Sequence, residues 1–230
     1  MAGLAHGLLL DFLNLFFKLF WNMAYTYNPI YHHLKGKNVT RSELVERGMI
    51  DIILKSKMPD AERSWSKVFE LKHTASVTQI GRMLAQKRGL DTELGTIICA
   101  MHDIYVFMTG RATNHAHLGA QMAERFLKKT KKFTPKEIKI ITSAIFNHSD
   151  KNIISKDPYV ELVKDADVLD CGLCDGVHDA YVYEKSPANC RVYFDRIKKV
   201  RKEFGLPKDP KWDSIEYVEQ AKGYGKKLHY

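Results

Sequence analysis

Apolar residues recur every three or four positions through most of the chain, with helix start and stop signals between the runs. Thr40 followed by Glu43 reads as a capping box, and the helix it opens carries Leu44, Val45, Ile50, Ile53 and Leu54. Pro59-Asp60 ends that unit. From about Ala61 to Lys87 the pattern is again helical, with Val68, Leu71, Val77, Ile80 and Leu84 on one side. Gly89 stops it, and Asp91 can cap a helix running to Asp103. Residues 104–113 break the pattern at Thr109-Gly110-Arg111. A helix from about Asn114 follows, with Leu118, Met122, Phe126 and Leu127, closed by a lysine-rich tract that suits the negative end of a helix dipole. Thr134-Pro135-Lys136-Glu137 is a strong start signal for a helix that ends near His148. Pro158 opens the next. Ser186-Pro187 opens another, with Val192, Phe194, Ile197 and Val200, closed by Gly205 and Pro207. A last short helix is expected after Asp213. Alternating strands, internal repeats and low-complexity tracts are absent from the sequence. The expected fold is all-α, a single helical bundle of about eight to ten helices over residues 38–230.

Residues 1–37 form an apolar helix and linker by the same criteria. Asp11, Asn14, Lys18 and Asn22 line up as one narrow polar stripe between Leu8-Leu9-Leu10, Phe12-Leu13, Phe16-Phe17 and Leu19-Phe20-Trp21. No uninterrupted run approaches the ~18 residues of a membrane span. Three readings stand for residues 1–28: a helix docked on the domain or on a second subunit, an interfacial membrane helix, or a non-native extension with Met23 as the true start. The first carries the most weight and leaves a homodimer open.

Composition changes this picture little. The 45% hydrophobic and 27% charged residues are those of an ordinary globular protein. The net charge of +9 favours anionic partners. The basic tracts at 128–132 and 196–202 lack interleaved aromatic residues, so they read as solvated helix faces and nucleic acid is not the expected partner. Four cysteines do not make a disulfide scaffold, which points to a reducing cytoplasm, and Cys99, in an apolar helical run, reads as a buried thiol.

The candidate chemistry lies between Lys72-His73 and Asp170. His73 sits mid-helix; His102-Asp103 ends the otherwise apolar helix Gly95 to Met101; His115, His148 and Asp167 follow. A carboxylate at the end of an apolar helix is costly to bury unless it is paired or bound to a metal. Adjacent helical residues point about 100° apart, so His102 and Asp103 reach one ion only along a shared ridge or at a helix end. Any single histidine is ordinarily a satisfied polar residue, and His6, His32, His33, His117, His178 and His229 are set aside on that ground. Four imidazoles and two carboxylates together suit one or two divalent transition-metal ions (Mn, Fe, Ni, Co or Zn) better than Mg or Ca.

The order H…HD…D resembles the HD superfamily of metal-dependent phosphohydrolases, over about residues 65–185. Lys164-Asp165-Ala166-Asp167-Val168-Leu169-Asp170 looks like its closing motif, in which Asp167 is the ligand. His115-Ala116-His117-Leu118-Gly119-Ala120 resembles the His-x-x-x-Gly-Ala helix start of members with extra ligands, which favours His115 over His117. Ile145-Phe146-Asn147-His148-Ser149 and the aspartate string resemble bacterial members that cleave nucleoside triphosphates to monophosphates. The resemblance implies an HD-domain bundle. His73, His102, Asp103 and Asp167 would hold one ion. His115 and His148 would hold a second or face the substrate. Asp103 would bridge and take part in catalysis.

The implied activity is hydrolysis of a phosphate ester or anhydride, most simply in a nucleotide, by a metal-activated hydroxide. Arg111, Lys151 and Lys164 are candidates for the substrate's phosphates, and Asp170 and Asp150 for orientation or proton transfer. A di-iron oxygenase of the same type is the alternative, since Lys151 follows His148 closely. A vestigial binding module is disfavoured because all six ligand positions are filled. His178-Asp179 lies past the closing motif in a Gly-rich stretch and reads as loop or surface. Cys171-Gly-Leu-Cys174 lacks both the further ligands of a zinc site and the βαβ context of a redox motif.

Overall fold

The computed structural model describes residues 39–217. The reading of residues 1–37 as apolar helix and linker, and any helix past residue 217, lie outside them. The compact unit that holds the candidate residues begins at Leu44. Nine α-helices and two 3-10 turns make up the described residues, with no strand among them. They are α1 (Arg41–Lys55), α2 (Lys67–Lys87), α3 (Thr92–Met101), α4 (Ile104–Thr109), α5 (His115–Thr130), α6 (Pro135–Asn147), α7 (Pro158–Gly172), α8 (Val177–Glu184) and α9 (Pro187–Glu203). The fold is the expected all-α bundle. No helix among the described residues is long and apolar enough to cross a membrane.

The start signals act as their chemistry dictates. The side chains of Ser66, Asp91, Asp157 and Ser186 accept the backbone N–H groups of Phe69, Leu94, Tyr159 and Asn189. Thr134 and Glu137 form the full reciprocal capping box. One expectation shifts. The helix expected from Ala61 starts instead at Lys67, because Ser66 caps it and Arg63 is extended, with a buried side chain. A 3-10 turn covers Pro210–Asp213, and the short helix expected after Asp213 falls largely outside the described residues.

Helix α3 is the axis of the bundle: every residue from Leu94 to Met101 is buried. Two small residues let α2 lie close against it. A Cβ added at Gly81 would sit 2.2 Å from the Cys99 sulfur, and one at Gly95 would sit 2.9 Å from Ala85 Cβ. That approach brings His73 of α2 and His102 at the end of α3 to one place. A large apolar core of α1–α7 surrounds α3, and a second, smaller core gathers Val168, Tyr181, Cys190, Phe194, Ile197 and Trp212.

Candidate metal centre

Helix α3 stops at the His102-Asp103 dipeptide itself. His102 is still helical, but Asp103 has φ −105° and ψ 22°, and α4 begins at the next residue. The break, rather than the Thr109-Gly110 turn further on, frees the two side chains to point together. Arg63 fixes it from outside. Its buried guanidinium donates to both Glu70 carboxylate oxygens (2.7 and 2.9 Å) and to the carbonyls of Val106 and Phe107 (3.0 and 3.2 Å). It thereby ties the turn before His73 to the end of α4.

The four histidines share one arrangement. The Nδ1 of His102, His115 and His148 donates to the carbonyls of Cys99, Ala112 and Ile145 at 2.8, 2.7 and 2.7 Å. The Nδ1 of His73 donates to Asp170 Oδ2 at 2.5 Å. Carbonyls and carboxylates only accept, so each ring carries a proton on Nδ1 and turns its Nε2 inward. Those Nε2 atoms meet: His73 and His102 at 3.2 Å, His115 and His148 at 3.2 Å. Lone pairs facing each other at that range repel unless a proton or a metal cation lies between them. Asp103 stands at the centre. Its Oδ2 is 3.3 Å from His102 Nε2 and 3.9 Å from His73 Nε2, and its Oδ1 is 3.4 and 3.3 Å from those of His115 and His148. Oδ1 is buried without a hydrogen-bond partner. Asp167 adds Oδ1 at 3.5 Å from His73 Nε2.

The electrostatics point the same way. Burial pushes the His102 imidazolium down, but the Asp103 and Asp167 carboxylates outweigh it and hold its pKa up at about 9. Burial opposes ionisation of Asp103, yet His102 and His148 keep its carboxyl well below the usual range. Burial also opposes ionisation of Asp167, which Lys151, His102 and His73 hold far down. Burial, with Lys151 adding to it, depresses His148 to about 4 against the pull of Asp103. The site stabilises carboxylates and gathers positive charge: the carboxylates favour a second proton on His102, a charge that a bound divalent metal would supply in its place. Donor set, tautomers and the orphaned oxygen therefore fit a divalent metal, and three-residue groups with ligand atoms all within 4.8 Å of one another form around Asp103.

The six side chains singled out as ligands thus lie in one cluster. Asp170 orients His73 from behind, as partners of metal-bound histidines ordinarily do. Lys151 is buried; its ammonium donates to Asp167 Oδ2 and to the His148 carbonyl, both at 2.6 Å. Asp150 caps the turn after α6, with its N–H on the Asn147 carbonyl. Arg111 is exposed, one residue from Ala112 of the cavity wall. Lys164 is elsewhere: its buried ammonium donates to the Ile153 carbonyl at 2.8 Å, fastening the loop after His148. Arg196 holds the same loop through the Lys151 carbonyl (2.8 Å) and is itself clamped by Asp165 and Glu161. His117 faces away and stacks on Phe146 at 4.0 Å.

A cavity of about 420 Å³ opens onto the cluster. Beside the ligands its walls carry Trp65, Phe69, Cys171, Tyr181, Lys185 and Tyr193. Sequence reasoning missed the aromatic members, which look like ordinary core residues; only the spacing of Phe69 one turn before His73 hinted at them. Phe69 stacks on His73 with rings 11° apart. His178-Asp179 also differs from expectation. It is buried in α8, with His178 stacked on Phe194, because Trp212 and Phe194 close over it.

Residues 71–172 match the family model of the HD domain. The match opens in α2 just before His73 and closes at the end of α7, so it spans all six converging residues. Over that stretch, somewhat under half of the chain, the protein is similar to the HD domain. No curated protein and no solved structure gives a significant match.

Proposed function

We propose that this protein is a metal-dependent phosphohydrolase acting on a small phosphate ester or anhydride, most simply a nucleotide. The observation that carries the reading is Asp103, whose two buried oxygens each face a separate pair of inward-turned imidazoles. That arrangement supports two ion positions sharing one carboxylate. His73, His102, Asp103 and Asp167 would hold the first ion, and Asp103, His115 and His148 the second. A divalent ion bound there would supply Lewis-acid polarisation of a phosphoryl oxygen and a hydroxide nucleophile at neutral pH. The chain's own residues do the rest. Asp170 fixes the His73 ring, and the three carbonyl-bound Nδ1 atoms fix the others. Lys151 steers Asp167 by holding its Oδ2 and adds a positive charge beside the ion positions. Phe69 shields the face of His73 from water, and Trp65 stands T-shaped to His115.

A second reading keeps the site and changes the chemistry. A bridging carboxylate with four histidines, and a buried lysine on the remaining aspartate, also suits a di-iron oxygenase of this superfamily. The test loads the full chain separately with Mn, Fe, Co, Ni and Zn, and follows phosphate or pyrophosphate release from nucleotides and simple esters alongside oxygen uptake. Release without oxygen uptake supports hydrolysis. Iron-dependent oxygen uptake without release would replace it by the oxygenase.

A further inference from the structure

We infer that Lys185 forms an anion-selecting subsite of this cavity, so that the preferred substrate carries a second anionic group, a carboxylate or another phosphate, besides the phosphate that reacts. The inference rests on the proposed hydrolysis for the reacting phosphate only.

Lys185 joins α8 to α9, outside the ligand-bearing helices, yet it lines the same cavity as His73, Asp103 and Asp167. Its ammonium lies over two aromatic faces, 4.8 Å from the Tyr181 ring centre and 4.6 Å from that of Tyr193. No carboxylate of the described residues lies within ion-pair distance of it. Lys151 is the contrast: its ammonium in the same cavity is already committed to Asp167 and a carbonyl. A cation resting on ring faces is aimed without being neutralised, since the rings offer only a quadrupole. Such a lysine meets an incoming anion as a compact point charge.

The position is built rather than incidental. The Tyr181 and Tyr193 rings pack edge to face, 5.0 Å apart and at 68°. Tyr181 belongs to the second core, against which Cys171 packs, and the Cys171 thiol lies 3.9 Å from Asp167 Oδ1. A continuous row of side chains therefore runs from the metal face to Lys185. The ammonium lies over a face of each tyrosine, where a base would otherwise stack. This wall thus recognises charge rather than a nucleobase. Glu184, exposed at the rim, disfavours anions that do not reach the lysine.

The test uses the Mn-loaded full chain, wild type and Lys185→Gln, with Lys185→Arg as the charge-keeping control. Para-nitrophenyl phosphate and glycerol 3-phosphate serve as one-anion probes, 3-phosphoglycerate and fructose 1,6-bisphosphate as two-anion probes. Calorimetric binding is read beside kcat and KM. The wild type should prefer the two-anion probes. Lys185→Gln should cut the two-anion to one-anion ratio of kcat/KM, and of binding constants, by about tenfold or more, mainly through KM, as expected for loss of a charged hydrogen bond. Lys185→Arg should restore most of it. An unchanged ratio, an equal loss for both probe types, or no binding of two-anion probes overturns the subsite. If the selective loss of binding appears but nothing is hydrolysed, the subsite stands and the phosphohydrolase reading falls.

Discussion

The chain contains the dipeptide His-Asp twice, and the two copies behave differently. At 102–103 the helix breaks between the residues, His102 Nε2 is turned toward other imidazoles, and Asp103 Oδ1 has no hydrogen-bond partner. At 178–179 the helix is continuous. His178 Nδ1 pairs with Asp179 at 2.9 Å, and Nε2 donates to the Ser214 carbonyl at 2.9 Å. Both pairs are buried, so burial does not separate them. What separates them is whether the polar atoms are used up. The 178–179 pair satisfies itself and serves as packing under Trp212; the 102–103 pair leaves acceptors aimed at a common point, which is what a cation needs.

The strongest way to break that comparison is to remove the carboxylate from each pair. Asp103→Ala should abolish both metal uptake and activity, measured by elemental analysis and turnover, whereas Asp179→Ala should keep the metal stoichiometry. Equal metal loss in both would erase the distinction. Next comes Trp212→Ala, which empties the core over His178 and should cost about 3–5 kcal/mol in denaturant unfolding while leaving the ion count alone. Asp170→Asn tests whether the ligand pair depends on support from behind. It should weaken metal binding about 10–100-fold in a competition titration without unfolding the chain.

Smaller effects sharpen the edges. Arg111→Ala should raise KM for a phosphorylated substrate with the bound metal unchanged; an unaltered KM returns Arg111 to the ordinary surface. Glu161 gives a pH signature away from the ligands. Burial would raise its carboxyl, but Arg196 and the Ser155 N–H hold it below its ordinary value. A depressed pKa stabilises the fold above the unfolded value and loses that contribution as pH falls through the folded one. The Tm gap between wild type and Glu161→Gln should therefore be full near neutrality and shrink below about pH 4.

Much of the helical frame was legible because caps are local chemistry: Asp91, Thr134, Pro158 and Ser186 each announce a start within four residues. The convergence of His73, His102, Asp103, His115, His148 and Asp167 was legible through motif order, since spacing alone does not bring α5 and α6 to α2 and α3. What stayed hidden depends on distant packing. Arg63 looks like one more charged residue in a helical pattern until Glu70 and the end of α4 surround it. Lys164 looks like a phosphate ligand until its ammonium is seen on the Ile153 carbonyl. His178 looks exposed in its Gly-rich stretch because the Trp212 that covers it comes 34 residues later in the chain.

The placement of the four imidazoles has a mechanical side. His73 and His102 belong to the α2–α3 hairpin, His115 and His148 to the α5–α6 hairpin, and Asp103 stands where the two meet. An ion held there is a clasp between two separately wound hairpins, and its binding energy becomes resistance to unfolding by mass action. Chelation should therefore loosen the molecule as well as silence it, lowering Tm and exposing α5–α6 amides to hydrogen exchange. Because each incoming ion must displace whatever protons the ring nitrogens hold, the clasp should also fasten more weakly as the solution turns acidic.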